Sequence, residues 1–169
     1  MKPSRLSAAA IAGWRRALLV CGAVVLLDQV SKAIVVSSLS VGQHASIGLG
    51  FSLTNTPNAG LAFGIGQGEG FVLGVTVLAL VLVLVWFALD PTRPGLWLAV
   101  GLLAGGALGN LADRVRTDAV TDFIDAPLWP TFNLADVAIT LGALGLVLVS
   151  LSPMHARDKA AGRAPGERG

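Results

Sequence analysis

The stretch Phe71-Val-Leu-Gly-Val-Thr-Val-Leu-Ala-Leu-Val-Leu-Val-Leu-Val-Trp-Phe-Ala-Leu89 runs for 19 residues without a charge. An α-helix needs roughly 20 predominantly apolar residues to cross the hydrocarbon core of a bilayer, so this run predicts a membrane span. Three further runs have matching length. One extends from Trp14 to about Val36 and is interrupted by Asp28, Gln29 and Lys32. Another opens after Pro94, from Gly95 to about Ala112, and stays uncharged until Asp113. The last, Leu134 to Leu151, carries Asp136 near its start. The expected fold is an all-α membrane protein with four transmembrane helices.

Composition supports that expectation. The chain is 54% hydrophobic and 13% charged, with a mean hydropathy of +0.74. A soluble domain has about 45–50% apolar and about 25% charged residues, so the apolar surplus here must face lipid. At 169 residues one domain is expected. The lone Cys21 leaves no internal disulfide and no cysteine metal cage, and His44 and His155 are too few for a histidine-rich metal site. A net charge of +2, with basic residues mostly at the ends, does not suggest nucleic-acid binding.

Basic residues followed by an apolar run also characterise a secretory signal peptide. Here Asp28 and Gln29 follow the run, where a small-residue cleavage site would be required. A span is the better reading. Its orientation follows from Lys and Arg. The N-terminal tail (residues 1–13) and the first turn of the span hold Lys2, Arg5, Arg15 and Arg16. The C-terminal tail (154–169) holds Arg157, Lys159, Arg163 and Arg168, and the short loop between spans two and three holds Arg93. These are nine of the twelve basic residues, so both termini are expected in the cytoplasm. The C-terminal tail, rich in Ala, Gly and charge, is expected to be disordered.

Two longer connections, 37–70 and 113–133, then face outward from the spanning unit of residues 14–153. In the first, Ile47, Leu49, Phe51 and Leu53 alternate with Gly48, Gly50, Ser52 and Thr54, the period of a half-buried strand. A turn is expected at Thr56-Pro57-Asn58-Ala59-Gly60, with Leu61-Ala62-Phe63 as a returning strand. A small extracytoplasmic β-sheet on the membrane surface results.

Combining spans with orientation brings the polar residues to one depth. Asp28 and Lys32 share a face in the outer half of span one. Asn110, Asp113 and Arg114 end span three, Asn133 and Asp136 begin span four, and Asp122 lies in the loop between. Charges within a span cost a few kcal/mol and normally face the bundle interior or a watery cavity. Asp28–Lys32 and Asp113–Arg114 suit structural pairs that cancel charge. Asp122 and Asp136 have no basic neighbour within a helical turn. Two such carboxylates in a partly dry site share a proton, one serving as base and the other as acid. A dyad of this kind activates water for attack on an amide. Carboxylates alone also suit calcium or magnesium, although such sites usually gather more oxygen ligands.

At these residues the chain resembles the bacterial lipoprotein signal peptidases, or signal peptidase II. The matching strings are Asp28-Gln-Val-Ser-Lys32, Asn58-Ala-Gly60-Leu-Ala-Phe63 and Gly105-Gly-Ala-Leu-Gly-Asn110-Leu-Ala-Asp113-Arg114. Val120-Thr-Asp122-Phe-Ile124 and Phe132-Asn133-Leu-Ala-Asp136 complete the set. Each string is weak alone, and five in this order are specific. The resemblance implies an aspartic endopeptidase of the cytoplasmic membrane that cuts prolipoproteins just before a diacylglyceryl-modified cysteine. It implies Asp122 and Asp136 as the catalytic pair, with Asn58, Asn110, Arg114 and Asn133 orienting substrate and dyad. Asp28, Lys32 and Asp113 would support the polar site. No metal or organic cofactor is implied, and a monomer in the bilayer is expected. The Gly-rich stretch Gly64–Gly70 stands where the family often has a small surface helix, a departure that bears on any lid. Two other classes of function remain open from the residues: a proton- or ion-coupled transporter, and a non-catalytic anchoring protein held together by its carboxylates. The first lacks an internal repeat and paired broken helices.

Overall fold

The computed structural model describes residues 7–59 and 69–152, and side chains in the second helix from residue 74 onward. The expected strand at 61–63, the Gly-rich stretch 64–68 and most of both tails lie outside the described residues. Among the described residues, four helices and four strands follow in the order α1 (Ala8–Ser38), β1 (His44–Gly48), β2 (Phe51–Asn58), α2 (Glu69–Leu89), α3 (Leu96–Thr117), β3 (Val120–Ala126), β4 (Trp129–Phe132) and α4 (Leu134–Leu151). Among the described residues, α1, α3 and α4 are long and apolar enough to cross a membrane. The helices outrun the apolar segments. α1 begins at a Ser7 cap whose hydroxyl accepts from the Ala10 N–H, and α3 continues through Asp113 and Arg114 to Thr117. Polar residues do not stop a helix whose backbone bonds stay within the element.

α3 is the central helix, and glycine puts it there. A Cβ on Gly101 or Gly105 would collide with Ala17, Val20, Cys21 or Val24 of α1. On Gly106, one turn-face away, it would strike the Ala135 carbonyl and Ile139 of α4. The small-residue stripe of α3 is thus two stripes, one seating α1 and the other α4, which is how spanning helices approach closely without a hydrophobic drive between them. Burial follows the same order. Of the apolar window in α3, 56% is buried inside the bundle, against 17% in α1 and in α4. The outward leucines and valines of α1 and α4, such as Leu19, Leu26, Leu144 and Leu148, therefore have lipid as their solvent.

At one end of the bundle Phe87 and Leu96 are fully buried with Ala17 and Val100, and Trp14, Trp86 and Trp97 pack against them. Trp14 meets Phe87 edge to face at 4.7 Å, and the Arg16 guanidinium lies 5.8 Å over Trp97. At the other end sits a single antiparallel sheet in the order β1-β2-β3-β4.

The sheet departs from the pattern read from sequence. The alternating run from Ile47 to Thr54 is not one strand. It breaks at Leu49–Gly50, where Gly48, Leu49 and Gly50 all have positive φ (97°, 56° and 81°), and returns on itself as a hairpin. Thr56-Pro57-Asn58, read as a turn, continues β2 and pairs with Val120–Asp122 of β3. Proline is tolerated there because β1 pairs only with Phe51–Thr54 and the Gly42 N–H reaches only as far as the Asn55 carbonyl, so among the described residues no strand pairs with Pro57 on that side. Among the described residues, the strand that pairs with β2 on its other side comes from the second long connection, more than sixty residues onward.

Candidate active site

Three helix ends and two strands meet where the sheet joins the bundle. Asp28 is fully buried in α1, and its Oδ1 accepts the Ala135 N–H at 3.0 Å, in the first turn of α4. That backbone donor lacks an intrahelical partner, and a carboxylate suits the positive end of the helix. The other oxygen, Oδ2, accepts from Lys32 Nζ at 2.8 Å. Lys32 also reaches Asp113 Oδ2 at 2.8 Å and Asn110 Oδ1 at 2.9 Å. The ammonium, 4% exposed, thus has three acceptors for three protons.

The pairing corrects one expectation. Asp28 and Lys32 pair as their spacing suggests, but Asp113 pairs with Lys32 and not with Arg114. On a helix, adjacent residues point about 100° apart, so Arg114 faces away from its neighbour. Its guanidinium donates to the Asn110 carbonyl at 3.4 Å and joins no ion pair among the described residues. Gln29, not singled out from sequence, joins the network instead. Its amide nitrogen lies 2.9 Å from Asp113 Oδ1 and 3.2 Å from both Asp28 Oδ2 and the Gly109 carbonyl, two N–H groups shared among three acceptors, and its oxygen accepts from Arg116 at 2.7 Å. One amide thereby links a second cation to the two carboxylates. Its place inside the string Asp28-Gln-Val-Ser-Lys32 was the available signal.

The network ends on Asp136. Asn110, held through its oxygen by Lys32, donates its Nδ2 to Asp136 Oδ1 at 2.8 Å. Asp136 Oδ2 accepts the Asn133 N–H at 3.2 Å, while the Asn133 side-chain oxygen accepts the Asp136 N–H at 3.0 Å. This reciprocal cap starts α4 and fixes both side chains. Asn133 has its amide nitrogen left over, and donates it at 2.7 Å to Asp122 Oδ1. Asn58, at the end of β2, donates to Asp122 Oδ2 at 2.8 Å.

Asp122 and Asp136 are therefore the two poles of one polar cluster, each carboxylate gripped on both oxygens by amide donors. Asp122 is 2% exposed, and burial raises its pKa from the ordinary carboxylate value. The Asn58 and Asn133 amides oppose that rise, the Asp136 charge adds to it, and Lys32 offsets part of it. Asp136 is more open and borders a groove of about 250 Å³ lined by Trp129, Phe132, Val137, Thr140 and Leu141. All nine residues singled out from sequence lie in or beside this cluster, with Arg114 attached most loosely. Among the described residues, no group of three His, Cys, Asp or Glu side chains converges as a metal site would. The arrangement places Asp136 on the wall of an apolar groove and Asp122 behind it, joined to it through Asn133.

The same elements recur in known proteins. A family model described as signal peptidase (SPase) II matches residues 20–152. A lipoprotein signal peptidase of Moorella thermoacetica is 42% identical over 139 residues, covering 80% of this chain and 93% of that protein. One of Staphylococcus haemolyticus is 33% identical over 149 residues, covering 83% and 94%. A bacterial membrane enzyme solved by the in meso method at 1.9 Å superposes with a TM-score of 0.74 at 32% identity, over 80% of this chain and 92% of its own. A second, solved in the same way at 2.3 Å, gives 0.71 at 28% identity over 90% and 94%. With the match running from within the first helix to the end of the last, the chain belongs to the signal peptidase II family, the lipoprotein signal peptidases, and is a multi-pass membrane peptidase.

Proposed function

We propose that this peptidase is an intramembrane aspartic endopeptidase that cuts diacylglyceryl-modified prolipoproteins just before the lipidated cysteine. The observation that carries the aspartic chemistry is the meeting of Asp122 and Asp136, from separate elements, in a shared cluster of amide donors. Like charges held close do not both ionise readily, and burial already raises the Asp122 pKa, so in this scheme the pair works with one proton between them. The ionised member removes a proton from water while the protonated one hydrogen-bonds the scissile carbonyl. In this scheme either aspartate can begin as base.

Four spans, with the fourth supplied by α2, cytoplasmic termini and an outward sheet complete the proposal. Arg15, Arg16 and Arg93 lie at the end of the bundle opposite the cluster, which supports that orientation. The cluster then lies at the outer interface, where a lipidated cysteine would rest with its acyl chains in the leaflet. The apolar residues preceding the cut would occupy the groove beside Asp136. Arg114, free of ion pairs among the described residues, is available to the substrate backbone. No metal or organic cofactor enters the scheme, and one copy of the chain contains all its parts.

The test is cleavage of a prolipoprotein by the purified protein in vesicles, with and without diacylglyceryl modification. Loss of the signal peptide from the modified form alone, leaving the lipidated cysteine as the new N-terminus by mass spectrometry, is the expected result. Equal cleavage of the unmodified form overturns the substrate assignment. Substrate-driven ion flux without cleavage would favour a transporter.

Asn58→Ala separates the electrostatics from the fold. The Asn58 amide favours the ionised form of Asp122, so its removal moves that group further up. The acidic limb of the pH–rate profile is expected to shift to higher pH, with the basic limb less affected. An unchanged acidic limb would mean that Asp122 does not govern it.

A further inference from the structure

Both hairpin turns of the sheet are apolar, and both are strained. In the first, Leu49 adopts a left-handed φ of 56° and is 97% exposed. In the second, Leu128 adopts 62° and is fully exposed. A left-handed conformation is unfavourable for leucine, and turn positions of this kind ordinarily take Gly, Asn or Asp. Neither leucine is buried against the protein, so the fold itself gains little from either. The turns also lie together: a Cβ on Gly50 would meet the Pro127 ring at 2.8 Å. Exposed Ile47 and Trp129 flank them, and no charged residue occurs in Ile47–Phe51 or Ala126–Pro130.

We infer that the paired turns form a prong that inserts into the outer leaflet of the bilayer, burying Leu49 and Leu128 among acyl chains. Three placements favour lipid over a soluble partner. The prong is continuous with the lipid-facing side of α4, because Trp129 shares a groove wall with Val137 and Leu141. Second, Trp14, Trp86 and Trp97 mark the opposite end of the bundle, and tryptophans gather at membrane–water interfaces. From Trp97 to Thr117 the α3 helix rises about 30 Å, one hydrocarbon thickness, so the sheet starts at the far interface, where Trp129 lies. Third, an uncharged tip avoids the cost of burying a charge on entering the leaflet. The prong would fix the height of the β2–β3 ladder, and with it Asp122, relative to the bilayer.

Site-directed spin labelling tests this without reading activity, so its failure is distinct from failure of the peptidase proposal. Cys21 is replaced by Ala, and single cysteines at Leu49, Leu128 and Gln43 are labelled in substrate-free phosphatidylglycerol–phosphatidylcholine vesicles. Gln43 is exposed at the opposite end of β1 and serves as the aqueous reference. Labels at 49 and 128 are expected to collide severalfold more with oxygen than with a water-soluble nickel complex, with the reverse at 43. Nickel access at 49 and 128 equal to that at 43 overturns the proposal. So does protection that arises only after a lipidated substrate is added, which would make the turns a substrate surface, or only at high protein density, which would make them a contact between copies.

Discussion

Replacing Asp122 with Asn is expected to lower cleavage by on the order of 10²–10⁴-fold, the share that one acid–base group supplies, while the protein stays folded and inserted. The two halves of that expectation have separate grounds. Catalytically, an amide neither accepts a proton from water nor passes one on, so the proposed shared-proton dyad would be lost. Structurally, the charged form of Asp122 is disfavoured by burial in the folded protein. Between the ordinary carboxylate pKa and its raised value, the folded state binds more protons than the unfolded one. Stability contributed by this group is therefore full at low pH and falls as pH rises through that window. A neutral amide of the same shape removes the burial penalty. It forfeits at most one of the two hydrogen bonds, because the new nitrogen opposes the Asn58 or the Asn133 donor. Thermal unfolding in detergent should then be nearly unchanged, and flatter with pH, while cleavage collapses. A protein whose carboxylates merely hold the bundle would show the opposite pattern. Full activity in Asp122→Asn, or in Asp136→Asn, would remove the dyad from the mechanism. Asp136→Asn is expected to be equally inactive but somewhat less stable, since Asp136 also accepts the Asn133 N–H in the cap of α4.

The sequence carried the helices and most of the site, because both rest on local signals. An uncharged run of spanning length has few other solutions, and a polar residue inside one must face inward, so Asp28, Lys32 and Asn110 declared themselves. What stayed hidden depends on backbone conformation or distant pairing. The alternation from Ile47 to Thr54 is uninterrupted in hydrophobicity, and a leucine occupies the turn that breaks it. Nothing local announces that Asn58 will lie beside Asp122, since β2 and β3 are joined only by folding of the bundle between them. The pairing of Asp113 with Lys32 was hidden for a related reason. Arg114 is adjacent in sequence but on another helix face, whereas Lys32 arrives from α1 because Gly105 and Gly109 let that helix close in. The glycines were visible in sequence, but not which neighbour each one admits.

Lys32→Met is expected to destabilise the protein by roughly 3–5 kcal/mol, the cost of stranding buried carboxylates without their counter-ion. Lys32 answers Asp28 at 0% exposure and Asp113 at 2.8 Å, and Arg116 reaches these carboxylates only through Gln29. Truncating the cation leaves two negative charges facing one another in the bundle. Adding Asp28→Asn and Asp113→Asn removes both charges and is expected to recover most of the lost stability, since a neutral hydrogen-bonded cluster avoids the desolvation penalty. Activity is not expected to return with it. Lys32 also holds the oxygen of Asn110, and that bond aims the Asn110 nitrogen at Asp136. Without the ammonium the amide is free to turn, and a carbonyl oxygen directed at Asp136 repels the carboxylate it should orient. The triple variant should therefore unfold near the wild-type temperature in detergent but cleave slowly, with the loss in kcat and little change in KM. Recovery of both stability and activity would limit Lys32 to charge balance. A stable but slow enzyme would make it the residue through which α1, outside the dyad itself, sets the geometry of the reaction.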